Sequence, residues 1–373
     1  PDFFADLIVV PEGAGEQPGR WPAGEVYRVL RPYGGIAYVA AQGERQGAVR
    51  RQLAAAEVPA GEIQASTDAV RVVRGALAGA GTWTHQYANA ARTGCSTDQR
   101  VRVPLELLWF GEPGPERLIN RHWKGPAPLC VGGRMFVAGQ HSLMAVDAYN
   151  GRPLWRRDMA KVGRFPVSSK GSNFAADDDG VYLAIGKECL RLDAASGETK
   201  QTYPLPALPS DTPGGPAGSF VWNHLAVGEG VILGSLGSDR EAEHVFVLAK
   251  DGKLRWMVHA NGVVGNNGIA VSSDRVYLID QTSPAKVEKA KRRGETIPNV
   301  TLVVALDLAT GKTVWQTDQG HGGRNSLWLA GDVLLATGGG GMTGYSAADG
   351  KQLYSGPMSA RRLPVIVGDT IHV

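Results

Sequence analysis

The chain has few cysteines, no excess of either charge and no long apolar run. Its 373 residues include Cys95, Cys130 and Cys189, and none of these forms an adjacent or C-x-x-C pair. This spacing excludes a zinc knuckle, a haem-attachment motif and a disulfide framework. The 39 basic and 36 acidic residues leave a net charge of +3, so nucleic acid is not expected as a partner. No apolar run approaches the roughly 20 residues of a membrane span.

Several catalytic and metal-binding sequence motifs are also missing or incomplete. The eight histidines never fall at a metal-ligand spacing, and no G-x-S-x-G elbow is present. Residues 177–180 (Asp-Asp-Asp-Gly) lack the later ligands of a calcium loop and predict a hairpin turn, as do the glycines at 338–341. The basic run at residues 286–293 is expected to be a solvated loop, with anion or polymer binding as the alternative.

Glycine and proline, by contrast, are abundant. The 50 glycines and 22 prolines are spread along the chain, which favours many short strands over long helices.

One short turn recurs five times in the last two-thirds of the chain. Each copy has a glycine after Asn, Ser, Asp or Thr, and four copies have an aromatic residue four positions after the glycine. Gln201 takes that position in the remaining copy, and three copies have an aspartate four positions before the glycine. The five glycines are Gly151, Gly197, Gly252, Gly311 and Gly350.

This repeat predicts the blades of a β-propeller. The glycines are 46, 55, 59 and 39 residues apart, which suits a unit of about forty residues with inserted loops. The glycine supplies the positive φ of a tight hairpin, and the aspartate accepts hydrogen bonds from loop amides. The aromatic side chain fills the gap between neighbouring blades. We expect a mainly β protein with four-stranded antiparallel blades.

Trp83, the sequence Arg92-Thr93-Gly94 and Trp109 precede the repeats. Together with the recurrent turn, they make residues 82–373 resemble the pyrroloquinoline-quinone-like β-propeller repeat family, in which an outer-strand Trp docks onto the next blade. Its enzymatic members, the quinoprotein dehydrogenases, use an adjacent cysteine pair beside the quinone and a calcium site with an Asp base. This chain has no adjacent cysteines. Non-enzymatic members, such as the outer-membrane assembly lipoprotein, are scaffolds.

The first 78 residues have a different pattern. Strands are predicted at residues 5–10, 36–40 and 69–74, and helices at residues 23–30 and 46–57. This alternation predicts a small, parallel α/β (partial Rossmann-like) lobe. A small-residue linker at residues 75–81 divides the chain into this lobe, residues 1–78, and the propeller, residues 79–373.

Residues 5–9 and 24–35 are similar to the C-terminal half of class I S-adenosylmethionine-dependent methyltransferases. Tyr33 departs from that family's pattern, because it is inserted before the pair Gly34-Gly35. The family's cofactor-binding glycine loop belongs to the first half, and no G-x-G-x-G follows a strand here. We therefore expect a partial methyltransferase-like lobe that does not bind the cofactor by itself.

The repeats account for five blades and the opening of a sixth. Residues 103–110 are predicted to be the outer strand that closes the last blade, and a third strand of that blade is missing. An unclosed propeller would expose sheet edges. We expect the chain to be part of a larger ring, either as a fragment of a longer polypeptide or as one of several chains.

A ligand site is predicted at the mouth of the central channel, where the innermost strands begin. Aligning these strands on their turns places amide and guanidinium side chains in one column, which could bind a carboxylate, a sugar or a peptide. The alternative is that these side chains satisfy one another and channel water. The candidate residues are Arg121, His122, Asn223, Asn267, Arg324, Asn325 and Arg362.

Two hypotheses for function follow. The first is a non-catalytic propeller, an interaction scaffold or ligand-binding module, whose partner is a protein, a small polar ligand or the remainder of a longer polypeptide. The alternative is part of a methyltransferase–propeller fusion enzyme, and a quinoprotein dehydrogenase has less support. We expect no catalytic residue, metal or cofactor in this chain; pyrroloquinoline quinone and S-adenosylmethionine are implied only by the resemblances. An exported location is slightly favoured over a cytoplasmic one.

Overall fold

The structure is a computed structural model in which most of the chain can be described. The described residues are 2–13, 21–111, 126–139, 141–159, 173–208, 220–237, 241–317, 325–358, 363–368 and 370–372.

Short strands make up most of the described chain. The helices are α1 (Ala23–Val29), α2 (Glu44–Ala55) and α3 (Pro284–Arg292), with a 3-10 turn at Ala60–Glu62. The strands are β1 (Leu7–Val10), β2 (Ile36–Ala40), β3 (Ile63–Ala65), β4 (Ala69–Val73), β5 (Leu129–Val131), β6 (Arg134–Gly139), β7 (Ser142–Asp147), β8 (Pro153–Asp158), β9 (Phe174–Asp177), β10 (Gly180–Ile185), β11 (Glu188–Leu192), β12 (Thr199–Pro204), β13 (Val221–Gly228), β14 (Val231–Gly237), β15 (Ala242–Ala249), β16 (Leu254–Val271), β17 (Arg275–Gln281), β18 (Thr301–Asp307), β19 (Thr313–Gln316), β20 (Ser326–Ala330), β21 (Val333–Gly338), β22 (Gly341–Ser346), β23 (Gln352–Pro357), β24 (Val365–Val367) and β25 (Thr370–His372).

The β-propeller predicted from the repeats is confirmed. Blades 1, 2 and 5 are the antiparallel sheets β5–β8, β9–β12 and β20–β23. Blades 3 and 4 form one seven-stranded sheet, β13 to β19, because β16 is both the outer strand of blade 3 and the innermost strand of blade 4. Strands β24 and β25 open blade 6. The apolar core is divided into clusters that each lie between two neighbouring blades, such as the cluster of Leu129, Phe136 and Val181.

The recurrent turns have the predicted geometry. The five repeat glycines have φ between +71° and +92°, a region that a side chain makes costly. Asp147 and Asp193 each accept two backbone N–H bonds from the turn that follows, at 2.8–3.2 Å. The predicted hairpins at residues 177–180 and 338–341 are also present, since Asp177 pairs with Gly180 and Gly338 with Gly341.

Three of the four predicted outer-strand aromatics dock onto the next blade. Tyr354 does not, because its ring lies against Gly344 of its own blade and is 37% exposed. The Trp155, Trp256 and Trp315 rings lie against the turn glycines of blades 2, 4 and 5. Each indole donates Nε1–H to a carbonyl of that turn, at 3.0, 2.8 and 3.0 Å respectively. Where Gln201 interrupts the pattern, Tyr203 takes the role, and its hydroxyl donates to Lys250 O at 3.0 Å. A shift of two residues keeps the aromatic ring on the same face of the strand.

Residues 103–110 correct one prediction, because they form no strand within the described part of the chain. The side chains of Leu105, Leu107 and Phe110 are exposed. Trp109 nevertheless docks onto blade 1, where its indole donates to Ala148 O at 2.9 Å. The aromatic contact of a closing outer strand is therefore present without strand pairing, since the described part of blade 6 supplies no third strand beside it.

The N-terminal lobe is an α/β unit, but its sheet is only partly parallel. The strand order is β1-β2-β4-β3, with β1 parallel to β2 and with β4 antiparallel to both β2 and β3. The prediction of a fully parallel layer was wrong because the three-residue strand β3 was missed. β3 joins β4 through a tight hairpin, and a hairpin reverses the chain where a crossover would not.

The lobe contacts blade 1 through residues of its β2 entry loop. Arg31 Nη1 lies 3.0 Å from Asp147 Oδ2, and the Asp147 side chain is buried. Tyr33, at φ +58°, stacks on Tyr149 with ring centroids 6.3 Å apart. The residue that departs from the methyltransferase pattern is therefore one that touches the propeller.

The basic run also differs from its prediction, because it forms a helix, α3, and not a loop. Ser283 accepts a bond from Lys286 N at the helix start, and Pro284 occupies the first turn. Both features favour a helix N-terminus. The basic side chains are exposed, as expected of a solvated segment.

We predict that Gly311→Ala destabilises the fold more than the matched substitution Gly331→Ala. Both glycines have positive φ, +71° and +52°, so either change costs about 1 kcal/mol. A Cβ at Gly311 would lie 2.6 Å from the Trp256 ring, whereas nothing lies within 4 Å at Gly331. Overpacking should add about 2 kcal/mol at Gly311, measured as the free energy of unfolding in urea. Equal losses would contradict the role of Trp256.

Candidate functional site

Residues 83–93, here called the central segment, run along the innermost strands of all six blades. Each innermost strand donates one backbone N–H to this segment. The bonds are Cys130 N to Trp83 O (2.8 Å), Ala176 N to Thr84 O (2.9 Å), Val227 N to His85 Nε2 (3.1 Å), Val271 N to Ala90 O (3.0 Å), Leu329 N to Ala91 O (2.9 Å) and Ile366 N to Thr93 O (2.8 Å).

These six donors occupy equivalent positions in their blades. Each lies two residues before the first turn position that follows the innermost strand, as Cys130 lies before Gly132 and Leu329 before Gly331. The central segment therefore occupies one end of the channel, where the innermost strands finish.

His85 is held as a neutral imidazole with a defined tautomer. Its Nε2 accepts the Val227 N–H bond, so the ring proton is on Nδ1 and is donated to Thr84 Oγ1 at 2.7 Å. Burial lowers the pKa of His85 to about 4. Burial also lowers the pKa of His224 to about 3, with smaller effects from Arg92 and His85.

Arg92 lies at the centre of the channel, with a side chain that is 5% exposed. Its guanidinium stacks between the rings of Tyr87 and Trp328, 4.6 and 4.9 Å from their centroids. Nη1 donates to Asn266 O at 3.2 Å and Nη2 to Asn267 Oδ1 at 3.1 Å. Desolvation lowers the pKa of Arg92 to about 10, so the group is charged at neutral pH.

Several buried polar atoms beside Arg92 lack partners among the described residues. They include Arg92 Nε, His224 Nδ1 and both side-chain atoms of the Asn266 amide. Orphaned buried atoms are rare in folded proteins and mark sites where a water or ligand binds. A cavity of about 10 Å³ between His85, Arg92 and His224 has room for about one water molecule.

Three of the seven predicted site residues lie in the described part of the chain. Asn223 and Asn267 each occupy an irregular stretch of an innermost strand, where the pairing register shifts. Such bulges re-aim side chains. Asn223 is buried, Asn267 is partly exposed, and Asn325 is exposed immediately before β20. The other four lie outside the described residues: Arg121, His122, Arg324 and Arg362.

Sequence reasoning missed Arg92, the cation that contacts Asn267. It was recognised only as part of the sequence Arg92-Thr93-Gly94. The available signal was an arginine in a run of small and amide residues, Ala88 to Ala91, that offers no carboxylate neighbour. Such a cation must find its partners elsewhere in the fold.

A groove of about 360 Å³ lies at the same end of the channel as the central segment, beside the ends of β13 and β16. Small apolar side chains such as Ala90 and Val227 line it, and Glu229, Ser272 and Ser273 lie at its edge. Substitutions in this groove are suitable controls for substitutions at the channel mouth.

Comparison with known families places the propeller region. The sequence model described as outer membrane protein assembly factor BamB matches residues 75–257 and 241–373. No curated protein matches the sequence.

Two of the solved structures similar to this chain, both alcohol dehydrogenases, share its fold at low sequence identity. The quinohemoprotein alcohol dehydrogenase ADHIIG from Pseudomonas putida HK5 is 15% identical with a TM-score of 0.53, over 74% of this chain and 48% of that one. The enzyme from Comamonas testosteroni is 14% identical with a TM-score of 0.52, over 74% and 49%. BamB from Moraxella catarrhalis is 15% identical with a TM-score of 0.32, over 61% and 73%. This chain therefore spans about half the length of the two dehydrogenases.

The residues at the channel centre do not fit the quinone of those dehydrogenases. Cys95, Cys130 and Cys189 are free and not adjacent. Among the described residues, the central segment lies along the axis, and the space beside Arg92 and His224 is only about 10 Å³. Among the described residues, no group of three or more His, Cys, Asp or Glu side chains could hold a metal ion. No helix in the described ranges is long and apolar enough to span a membrane.

We predict that acid destabilises the fold through the buried histidines. Because the folded-state pKa of His85 lies below the usual 6.5, the unfolded chain binds the proton more readily. The contribution of each neutral histidine to the free energy of unfolding is therefore complete above pH 6.5 and is lost as the pH falls toward 4. The loss is about 2 kcal/mol per histidine at pH 5. Urea unfolding of His85→Gln should show a shallower pH dependence. The exposed control His372→Gln should match the wild type, and identical profiles for all three proteins would contradict this account.

Proposed function

Since the chain belongs to the outer membrane protein assembly factor BamB family, we propose that it is a non-catalytic propeller that binds a protein or a small polar ligand at the mouth of its channel, where the innermost strands begin. The observation that carries this proposal is the central segment, which occupies the opposite end. This leaves the end where the innermost strands begin as the place where we propose that a ligand binds.

We propose that the predicted column lines this end of the channel. Asn223, Asn267 and Asn325 are each four residues before the strand residue that bonds the central segment. This shared spacing supports a common level along the channel for the three residues. Their amides supply both donors and acceptors. We propose the same role for Arg121, His122, Arg324 and Arg362, whose place in the column rests on sequence alignment.

The family description supports a protein partner and an exported location, because it names an assembly factor of outer membrane proteins. We propose both for this chain. We also propose the division into residues 1–78 and 79–373. It is supported by the start of the family match at residue 75 and by the separate apolar core of the lobe, which includes Leu30, Val39 and Leu53.

The test is a thermal-shift screen with three probe classes: small carboxylates, neutral sugars and uncharged peptides. We expect at least one class to raise the melting temperature. The triple variant Asn267→Ala, Arg324→Ala and Asn325→Ala should weaken that binding at least tenfold, by removing amide and guanidinium contacts of about 1 kcal/mol each. The control variant Glu229→Ala with Ser273→Ala, at the opposite groove, should bind like the wild type. If only the control variant lost binding, the site would lie at the groove and not at the channel mouth, and the proposal would be wrong.

A second candidate function is part of a methyltransferase–propeller fusion enzyme. It is favoured by the edge position of β1, whose side chains Leu7 and Val9 are 61% and 62% exposed. Apolar side chains on a parallel edge strand suit pairing with a further strand. A cleft of about 390 Å³, lined by Glu12, Arg45 and Gln52, also lies at the carboxyl ends of β1 and β2, where α/β sheets bind ligands.

Calorimetric titration with S-adenosylmethionine tests the second candidate. We expect no binding heat from this chain, because it carries no glycine-rich cofactor loop. A longer form that includes preceding residues should bind the cofactor if the fusion exists. Binding by the present chain, abolished by Arg45→Ala, would instead make the lobe cleft a cofactor site.

A further inference from the structure

The charge of Arg92 has no compensating anion within the described structure. Among the described residues, its partners are the neutral oxygens of Asn266 and Asn267 and two aromatic rings, and none of these contacts is an ion pair. A buried charge that is hydrogen-bonded only to neutral groups carries a large desolvation cost. A low-dielectric channel also focuses the electric field of the Arg92 charge toward the channel mouth. The channel mouth is therefore attractive to an anion.

Arg92 also fixes the orientation of Asn267. A guanidinium has donors and no acceptor, so the amide oxygen must face it, as the 3.1 Å contact between Nη2 and Oδ1 shows. The Nδ2 donors then point away from Arg92, and Asn267 is partly exposed. The neighbouring Asn266 is 4% exposed, and both polar atoms of its side chain lack partners among the described residues. One amide is thus locked as a donor, and a second is left unsatisfied beside it.

We propose that the channel mouth binds a small carboxylate, which accepts hydrogen bonds from Asn267 Nδ2 and is held electrostatically by Arg92. This inference rests on the proposed function and specifies the chemistry of its ligand. Asn267 is the contact residue, and Arg92 is a positioning residue that acts through it. A carboxylate suits the site because its two oxygens accept from neighbouring amide donors while its charge offsets that of the guanidinium.

The test uses Asn267→Asp, because substitution of Arg92 itself removes four contacts at the channel centre and would confound binding with stability. The new carboxylate would replace the amide beside Arg92 and supply the missing counter-ion from within. We expect a higher melting temperature without ligand and an acetate affinity at least tenfold weaker than in the wild type. Asn325→Asp is the matched control: it makes the same change at the equivalent place in blade 5, where no bond to Arg92 exists. It should not raise the melting temperature.

The wild-type response is measured with sodium acetate against sodium chloride and inorganic phosphate at equal ionic strength. Acetate should raise the melting temperature selectively and shift the Arg92 Nε–H resonance in ¹H–¹⁵N correlation spectra. An equal effect of chloride or phosphate overturns the carboxylate assignment, as does full acetate binding by Asn267→Asp. If only neutral sugars or uncharged peptides bind, the carboxylate is wrong while the proposed function stands. If no probe binds at the mouth, both fail.

Discussion

The bonds between the central segment and the innermost strands are the constraint on which the rest of the propeller depends. One backbone bond contributes only about 1 kcal/mol, but these bonds fall at the same position in every blade, from Cys130 in the first to Ile366 in the sixth. They fix the height of each innermost strand along the axis. Since whole-domain stability is on the order of 5–15 kcal/mol, such a set is a large share of what holds the ring in register.

The seams between blades add a second, independent constraint at the periphery. Each docked aromatic combines a ring against a glycine with one bond to a turn carbonyl, as Trp256 does at Gly311 and Leu308. The inner bonds set the axial position of a blade, and the outer aromatics set its rotation against the next blade. The contact between Arg92 and Asn267 in the channel follows from both constraints, because Arg92 reaches Asn267 only when the inner bonds and the outer aromatics are both in place.

Much of this outer architecture could be predicted from sequence, because each repeat has the glycine and four of the five have the aromatic residue at the same spacing. Even the exception at Gln201 was visible, although its replacement by Tyr203 required the strand register. The central segment could not be predicted in the same way. Its contacts join residues up to 273 positions apart, such as Thr93 and Ile366, and have no periodic signature. Arg92 was missed for that reason, since its partners belong to other blades.

The N-terminal lobe shows the limit of local patterns. Helices and strands were placed within a few residues, yet one missed strand of three residues, β3, reversed the direction predicted for β4. Tyr33 was identified as a departure from a family pattern, and its contact with Tyr149 gives that departure a physical reason. A departure from a pattern was thus as informative as the pattern.

The path of the central segment also bears on how the chain folds as it is synthesised. Residues 83–93 leave the ribosome before any blade, and they then wait for partners that arrive in the order of translation, from Cys130 to Ile366. Each blade can add to an inner template that already exists, but the bond from Ile366 forms only after the five preceding blades have been made. Contacts of such long sequence separation slow folding, and incomplete rings expose strand edges in the meantime. The central segment therefore also determines how long the nascent protein is exposed to aggregation.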